Sequence, residues 1–245
     1  MRQTRCFVAA SLTVGGELEL PDATSNHLLR VLRLDSGDAI TLFNGDGHDY
    51  AATLTRNGRN AARAQVIRRN AVENESGLHI TLIQGIARGE KMDLILQKAT
   101  ELGVAEIWPV YSERTEVRLD AERLSKRLGH WRGVIQSACE QCGRARLPLL
   151  ADPRSLSKMI EDVPAATLRL TLDPRGQFSF DTLADPAPAG LAFAIGPEGG
   201  FSVIEHTQLN AAGFVGMRLG PRILRTETAG LAAMAVLQAR FGDLA

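Results

Sequence analysis

The chain is short of cysteine, short of lysine and without a long apolar run, and each shortage excludes something. Its 245 residues include three cysteines, Cys6, Cys139 and Cys142. An odd number, with a single C-x-x-C pair in "SACEQCGR" and no histidines at ligand spacing beside it, supports neither a disulfide framework nor a zinc site. The expectation is reduced thiols near a helix end, with no metal. No stretch approaches the roughly 20 apolar residues that a membrane-spanning helix needs. The N-terminal "MRQTRCFVAAS" starts basic but has no sustained apolar segment or cleavage site, so no secretory signal is expected and a cytoplasmic protein follows. Neither G-x-x-x-x-G-K-S/T nor G-x-G-x-x-G occurs, which argues against a nucleotide-handling enzyme built on either fingerprint. Internal repeats and low-complexity tails are absent as well.

What is present is arginine. The 28 basic residues balance 28 acids, and they divide into 24 arginines and 4 lysines. A guanidinium presents a planar fork of donors suited to phosphate and base edges; a genome rich in G and C produces the same bias. Residues 1–72 carry nine arginines against seven acids, and residues 73–245 carry nineteen basic residues against twenty-one acids. The first region is therefore slightly positive and the second slightly negative.

Up to about Asn70 the pattern is one of short strands, "RCFVA", "GELELP", "DAITLFNGDGHDYAATLT" and "AARAQVIRR". Turn dipeptides Gly37-Asp38, Asn44-Gly45 and Asn57-Gly58 punctuate them. A small β-barrel is expected, with one helix embedded at "DATSNHLLRVLRL", capped by Asp22 or Thr24. A regular helix there would bury Leu28, Val31 and Leu32, and turn Arg30 and Arg33 outward with His27 at the border. Polar residues 70–77 form the linker, giving domains 1–72 and 73–245. Beyond it, continuous apolar strands alternate with helices, the pattern of a mostly parallel sheet covered on both faces. The last helix, "GLAAMAVLQARF", is apolar on most sides and must be buried, either wholly in the monomer or half against a second copy.

Two glycine-bearing loops stand where α/β sheets bind ligands, beyond the carboxyl ends of strands. The first, "IGPEGGFS", has Gly196, Gly199 and Gly200, which permit positive φ and close backbone approach. It runs into a helix through Ser202-x-x-Glu205, a capping-box pattern. A carboxylate at Glu198 repels phosphate, so a ligand with a cationic part suits this loop better. The second, "LGPRILRTETAG", turns at Gly220-Pro221 and opens the last helix near Thr226 or Thr228. Its Arg222 and Arg225 are placed to hold an anionic partner, or to sit in a solvated turn.

These loops, with "LQKATELGV" and "SACEQCGRARLP" upstream and "HLLRVLR" in the first domain, resemble the bacterial ribosomal RNA small subunit methyltransferase E family. The motifs follow the family's order and span nearly the whole chain. The resemblance implies an α/β fold of the SPOUT superfamily carrying a deep trefoil knot, behind a PUA-like RNA-binding β-barrel. It implies S-adenosylmethionine as cofactor, N3 of a uridine in 16S ribosomal RNA of the small subunit as target, and a homodimer.

Carried over position by position, it places cofactor contacts at Leu172, Gly196, Glu198, Gly199, Gly200, Leu219, Gly220, Ile223, Leu224 and Thr228. Backbone groups there would bind the adenine edge and hold the methionine arm bent. Arg225 becomes the substrate-facing candidate, unless it forms a salt bridge to Glu198 or Glu227. Glu198 either faces the cofactor's cationic portion or holds its own loop, and Glu198 and Glu227 are the candidate bases for the N3 proton. Arg2, Arg5, His27, Arg30, Arg33, Arg144, Arg146 and Arg222 are the expected RNA contacts. A non-catalytic RNA-binding module with a relic pocket is the competing expectation.

Overall fold

A computed structural model describes residues 4–56, 61–115, 121–165, 167–174, 176, 178–183 and 189–244. Arg2 and the Asn57-Gly58 turn lie outside the described residues. The chain forms two compact units, one of Met1–Glu75 with Cys139–Leu147 and one of Ser76–Ala138 with Pro148–Ala245.

The first unit begins with β1 (Arg5–Phe7), β2 (Glu17–Glu19) and α1 (Asp22–Asn26), followed by a π-helical turn at His27–Val31. Three longer strands complete it, β3 (Ala39–Phe43), β4 (His48–Arg56) and β5 (Ala62–Ala71). They pair in the order β1-β3-β4-β5-β2, antiparallel except for β1 beside β3. Alternate residues of β4 and β5 point inward, as the period-2 geometry of a strand requires, and Leu54, Ala64 and Val66 meet Leu28, Ile40 and Leu42 in the core. A bulge opposite Ala51 and Ala52 breaks the alternation, and beyond it Ile67, Arg68 and Arg69 are all exposed.

The helix in this unit departs from the expected regular α-helix. It starts after Pro21 with no side-chain cap, so neither Asp22 nor Thr24 caps it. The amide of Leu32 donates to the carbonyl of His27, an i→i−5 bond. That wider turn shifts the inward stripe: Ser25, Leu28 and Leu29 are buried, whereas Val31 and Leu32 are 68% and 40% exposed. Arg33, next in line, is the one non-glycine residue with positive φ among those described.

The second unit runs through β6 (Ile80–Gly85), α2 (Glu90–Glu101), β7 (Glu106–Tyr111) and the long α3 (Ala121–Cys142), whose last four residues belong to the first unit. Then come β8 (Leu149–Leu150), β9 (Arg154–Ser155), α4 (Leu156–Glu161), β10 (Leu168–Leu172) and β11 (Phe178–Ser179). The chain ends with β12 (Leu191–Ile195), α5 (Val203–Ala211), β13 (Val215–Arg218) and α6 (Thr226–Phe241). The strand order is β11-β13-β10-β12-β6-β7-β8, with β9 also on β7, and every described pairing is parallel.

β6 and β12 are buried at every residue, as strands covered on both faces must be. The last strand, β13, inserts between the earlier β10 and β11. The two glycine loops therefore leave strands that flank β10, and Leu172 at the end of β10 lies between them. No helix among the described residues is long and apolar enough to cross a membrane.

Candidate functional site

The loops after β10, β12 and β13 enclose a cavity of about 860 Å³. That lies within the 300–1,000 Å³ usual for small-molecule sites, at the carboxyl ends of parallel strands. Nine residues expected at the cofactor line it: Leu172, Gly196, Glu198, Gly199, Gly200, Leu219, Gly220, Ile223 and Leu224. Arg222 and Arg225 line it too, both exposed. Thr228 does not; it is exposed on the first turn of α6, and the residue two places earlier, Thr226, takes the wall position.

At Gly196 and Gly85 the chain's own crowding leaves no room for a side chain. A Cβ on Gly196 would fall 2.7 Å from the amide nitrogen of Phe201, because the loop folds straight back on itself. A Cβ on Gly85, at the end of β6, would lie 2.5 Å from Pro197. Gly200 and Gly220 take positive φ, 66° and 68°, where a side chain is strained but the space around is open. Gly199 lies under the side chain of Arg114, whose Nη1 donates to the Gly199 carbonyl at 2.7 Å. The loop ends in the expected capping box: Ser202 accepts from the Glu205 amide, and Glu205 Oε2 accepts from the Ser202 amide at 2.8 Å. Glu205 is buried, and its other oxygen accepts from the amide of Glu113.

Glu198 holds its loop to the start of α2. Its Oε1 accepts from the Arg88 amide at 3.1 Å and lies 3.2 Å from Lys91 Nζ. Partial burial pushes its pKa up, but hydrogen bonds from the Arg88 amide and its own backbone, with the Lys91 ammonium, outweigh that and hold it below the usual carboxylate value. A carboxylate so stabilised as an anion is a weak proton acceptor. Glu227 lies on the wall of a second cavity of about 600 Å³ between α2, α3 and α6, and its buried Oε2 has no hydrogen-bond partner among the described residues.

Arg225 pairs with neither glutamate; its guanidinium makes no ion pair or hydrogen bond among the described residues. Lys91, Asp173 and Arg218 also line the main cavity. Sequence reasoning gives Lys91 a role in the fold or an interface, because Lys91 is far along the chain from Glu198, and misses Asp173 and Arg218, since Asp173 carries no motif beyond its place at a strand end.

Two arginines expected at RNA are otherwise engaged. In the first unit Arg5 donates to both carboxylate oxygens of Asp49 and to the Cys139 carbonyl, and stacks 4.5 Å over the Phe43 ring. Arg144, 7% exposed at its side chain, grips Glu75 at 2.6 Å. Arg5 ties the segment 139–147 to β1, and Arg144 ties it to Glu75 in the stretch that follows β5. His27, Arg30, Arg33 and Arg146 are exposed. Cys6 and Cys139 are buried free thiols, pushed up to about 12 chiefly by desolvation, and Cys142 is free as well. No group of three or more metal-binding side chains exists among the described residues.

Comparison with known proteins identifies the family. Residues 74–238 match the RNA methyltransferase domain family, and residues 20–67 match the RNA methyltransferase PUA domain. The ribosomal RNA small subunit methyltransferase E of Buchnera aphidicola subsp. Schizaphis graminum is 30% identical over 243 residues, 99% of this chain and 98% of its own.

Two crystallised proteins cover this chain and their own completely, each at 38% identity. One is from Legionella pneumophila, solved with bound S-adenosylmethionine (TM-score 0.95). The other is the ribosomal RNA small subunit methyltransferase E of Neisseria gonorrhoeae, bound to S-adenosylmethionine (TM-score 0.91). With a domain match across most of its length and full-length relatives of that one kind, the chain belongs to the ribosomal RNA small subunit methyltransferase E family.

Proposed function

We propose that this protein uses S-adenosylmethionine to methylate N3 of a specific uridine in 16S ribosomal RNA of the small subunit, as a cytoplasmic homodimer. The observation that carries the reading is the 860 Å³ cavity at the ends of β10, β12 and β13. It is walled by loop backbone, in a chain 38% identical along its whole length to a family enzyme crystallised with that cofactor. Bound there, the cofactor supplies a methyl group activated on a sulfonium. The backbone groups of Gly196 to Gly200 and Leu219 to Leu224 suit an adenine edge and a bent amino-acid arm.

The protein's own contribution is alignment and charge. Fixing two reactants in line can be worth roughly 7–11 kcal/mol. Uridine N3 becomes nucleophilic only as its proton leaves, and negative charge then spreads onto O2 and O4. Arg225, at the rim and unpaired among the described residues, is suited to stabilise that charge while the proton passes to solvent. Glu198 stays an anion paired with Lys91 and braces the loop, so it is withdrawn as a base. Extruding the uridine costs a few kcal/mol, which phosphate contacts at exposed arginines such as Arg30, Arg33, Arg146 and Arg222 offset.

The insertion of β13 between two earlier strands supports the trefoil knot that the family resemblance implies. Apolar side chains left at the surface of α2 and α6, Leu94 at 41% and Val236 at 37% exposed, support a dimer.

The test is methylation of purified small subunits from a strain lacking the activity. Mass spectrometry is expected to find one added methyl, on N3 of one uridine. Cofactor binding without any methyl transfer would leave the protein a non-catalytic RNA-binding module.

A further inference from the structure

A buried polar chain ties the cofactor loop to the rest of the sheet. Gln84, at the end of β6, is fully buried, and its side-chain amide has both hydrogens committed. Nε2 donates to the carbonyl of Gly85 at 2.9 Å and to Oγ1 of Thr226 at 3.1 Å. Thr226 Oγ1 is 2.6 Å from the carbonyl of Gly196. The direction of this chain is fixed by its first link. The Gly85 carbonyl can only accept, so the amide nitrogen must face it. Thr226, receiving a hydrogen from that same nitrogen, then has its own hydroxyl hydrogen for Gly196 alone.

Three segments distant in sequence thus meet in one line: the end of β6, the first residue of α6 and the first residue of the loop after β12. Gly196 and Thr226 both line the main cavity, and Arg225 is bonded to Thr226. The amide oxygen of Gln84 is buried with no partner among the described residues. A buried acceptor left bare is a liability to folding, so this amide is oriented at some expense to stability.

We propose that Gln84 and Thr226 are positioning residues, setting the Gly196 carbonyl and the base of Arg225 so that the cavity is shaped for cofactor before it arrives. This rests on the cofactor reading given above. Neither side chain titrates, so the effect of removing either is flat across pH 6 to 9. Losing one buried hydrogen bond to the loop is expected to weaken cofactor binding about tenfold.

The experiment is calorimetric titration of S-adenosylhomocysteine into the full-length protein and its Thr226→Val, Thr226→Ser and Gln84→Leu variants, with RNA affinity measured alongside. The expected result is about tenfold weaker cofactor binding in Thr226→Val and Gln84→Leu and near-normal binding in Thr226→Ser. The Gln84→Leu/Thr226→Val double variant is expected to be no worse than the weaker single one, because one chain is cut twice, and RNA affinity is expected to stay unchanged.

Binding within twofold of the unaltered protein in the two apolar variants would overturn the proposal, as would Thr226→Ser behaving like Thr226→Val. Should both apolar variants fail to fold, Gln84→Asn decides: it keeps an amide but withdraws it from Thr226, and undiminished cofactor binding would overturn the proposal. Absence of binding by the unaltered protein would instead remove the cofactor reading itself.

Discussion

Arg225 and Glu198 share one cavity, and their surroundings divide the work between them. A rim guanidinium with no partner among the described residues is suited to meet charge that develops on a substrate, so Arg225→Ala is expected to slow single-turnover methylation of small subunits by roughly 10²- to 10³-fold, the range for losing one such stabilising group. S-adenosylhomocysteine affinity is expected to change little in that variant. An unchanged single-turnover rate would remove Arg225 from the chemistry.

Glu198 is the opposite case, committed to the Arg88 amide and Lys91. Its folded-state pKa lies below the ordinary value of 4.5. The sign follows from linkage: the ionised pair adds stability that is fully present above pH 4.5 and fades as pH falls below it, through the folded value. Denaturant titrations of Glu198→Gln and the unaltered protein are therefore expected to differ at pH 6 to 7 and converge below pH 4. A gap that widened in acid would mean that the carboxylate is held neutral. The sequence made both residues visible, each through its own glycine-bearing loop. It left open what Glu198 does, because Arg88 and Lys91 reach it from another element.

At the scale of elements, local chemistry was readable where a short pattern sets a local bond. Ser202 and Glu205 form the capping box that their spacing announces. The helix at residues 22–31 was not readable to that depth. A regular α-helix advances about 100° per residue. One i→i−5 turn inserts an extra residue and swings those after it, so Leu29 goes in and Val31 and Leu32 come out. Nothing in the spacing of "HLLRV" distinguishes the two windings; contacts with Ile40 and Leu54 select one. Urea unfolding is expected to show Leu28→Ala and Leu29→Ala each costing about 2–4 kcal/mol, and Val31→Ala within about 0.5 kcal/mol of unaltered. A costly Val31→Ala would restore the regular helix.

Across the whole molecule, the alternation of strands and helices announced the parallel sheet, and the order of motifs announced the family. The sequence did not disclose that the segment 139–147 joins the first unit, because the bonds that hold it there link residues far apart in the chain. Arg144 to Glu75 and Arg5 to the Cys139 carbonyl are such bonds.

Basic residues near a predicted RNA surface look alike until burial separates them. Arg144→Ala, which strands Glu75, is expected to destabilise by about 2 kcal/mol or more. It should leave the salt dependence of RNA binding unaltered. Arg146→Ala is expected to do the reverse, leaving stability within about 0.5 kcal/mol and lowering the slope of log affinity against log salt by about one. Exchanged outcomes would return Arg144 to the RNA surface.

The central claim is that the loops after β12 and β13 form the walls of the cofactor site. Amide NMR of the 26.5 kDa chain titrated with S-adenosylhomocysteine tests it most directly. The predicted result is saturable shifts concentrated at Gly196, Gly199, Gly200, Gly220 and Leu224. No shifts there, or shifts confined to the cavity between α2, α3 and α6, would contradict it.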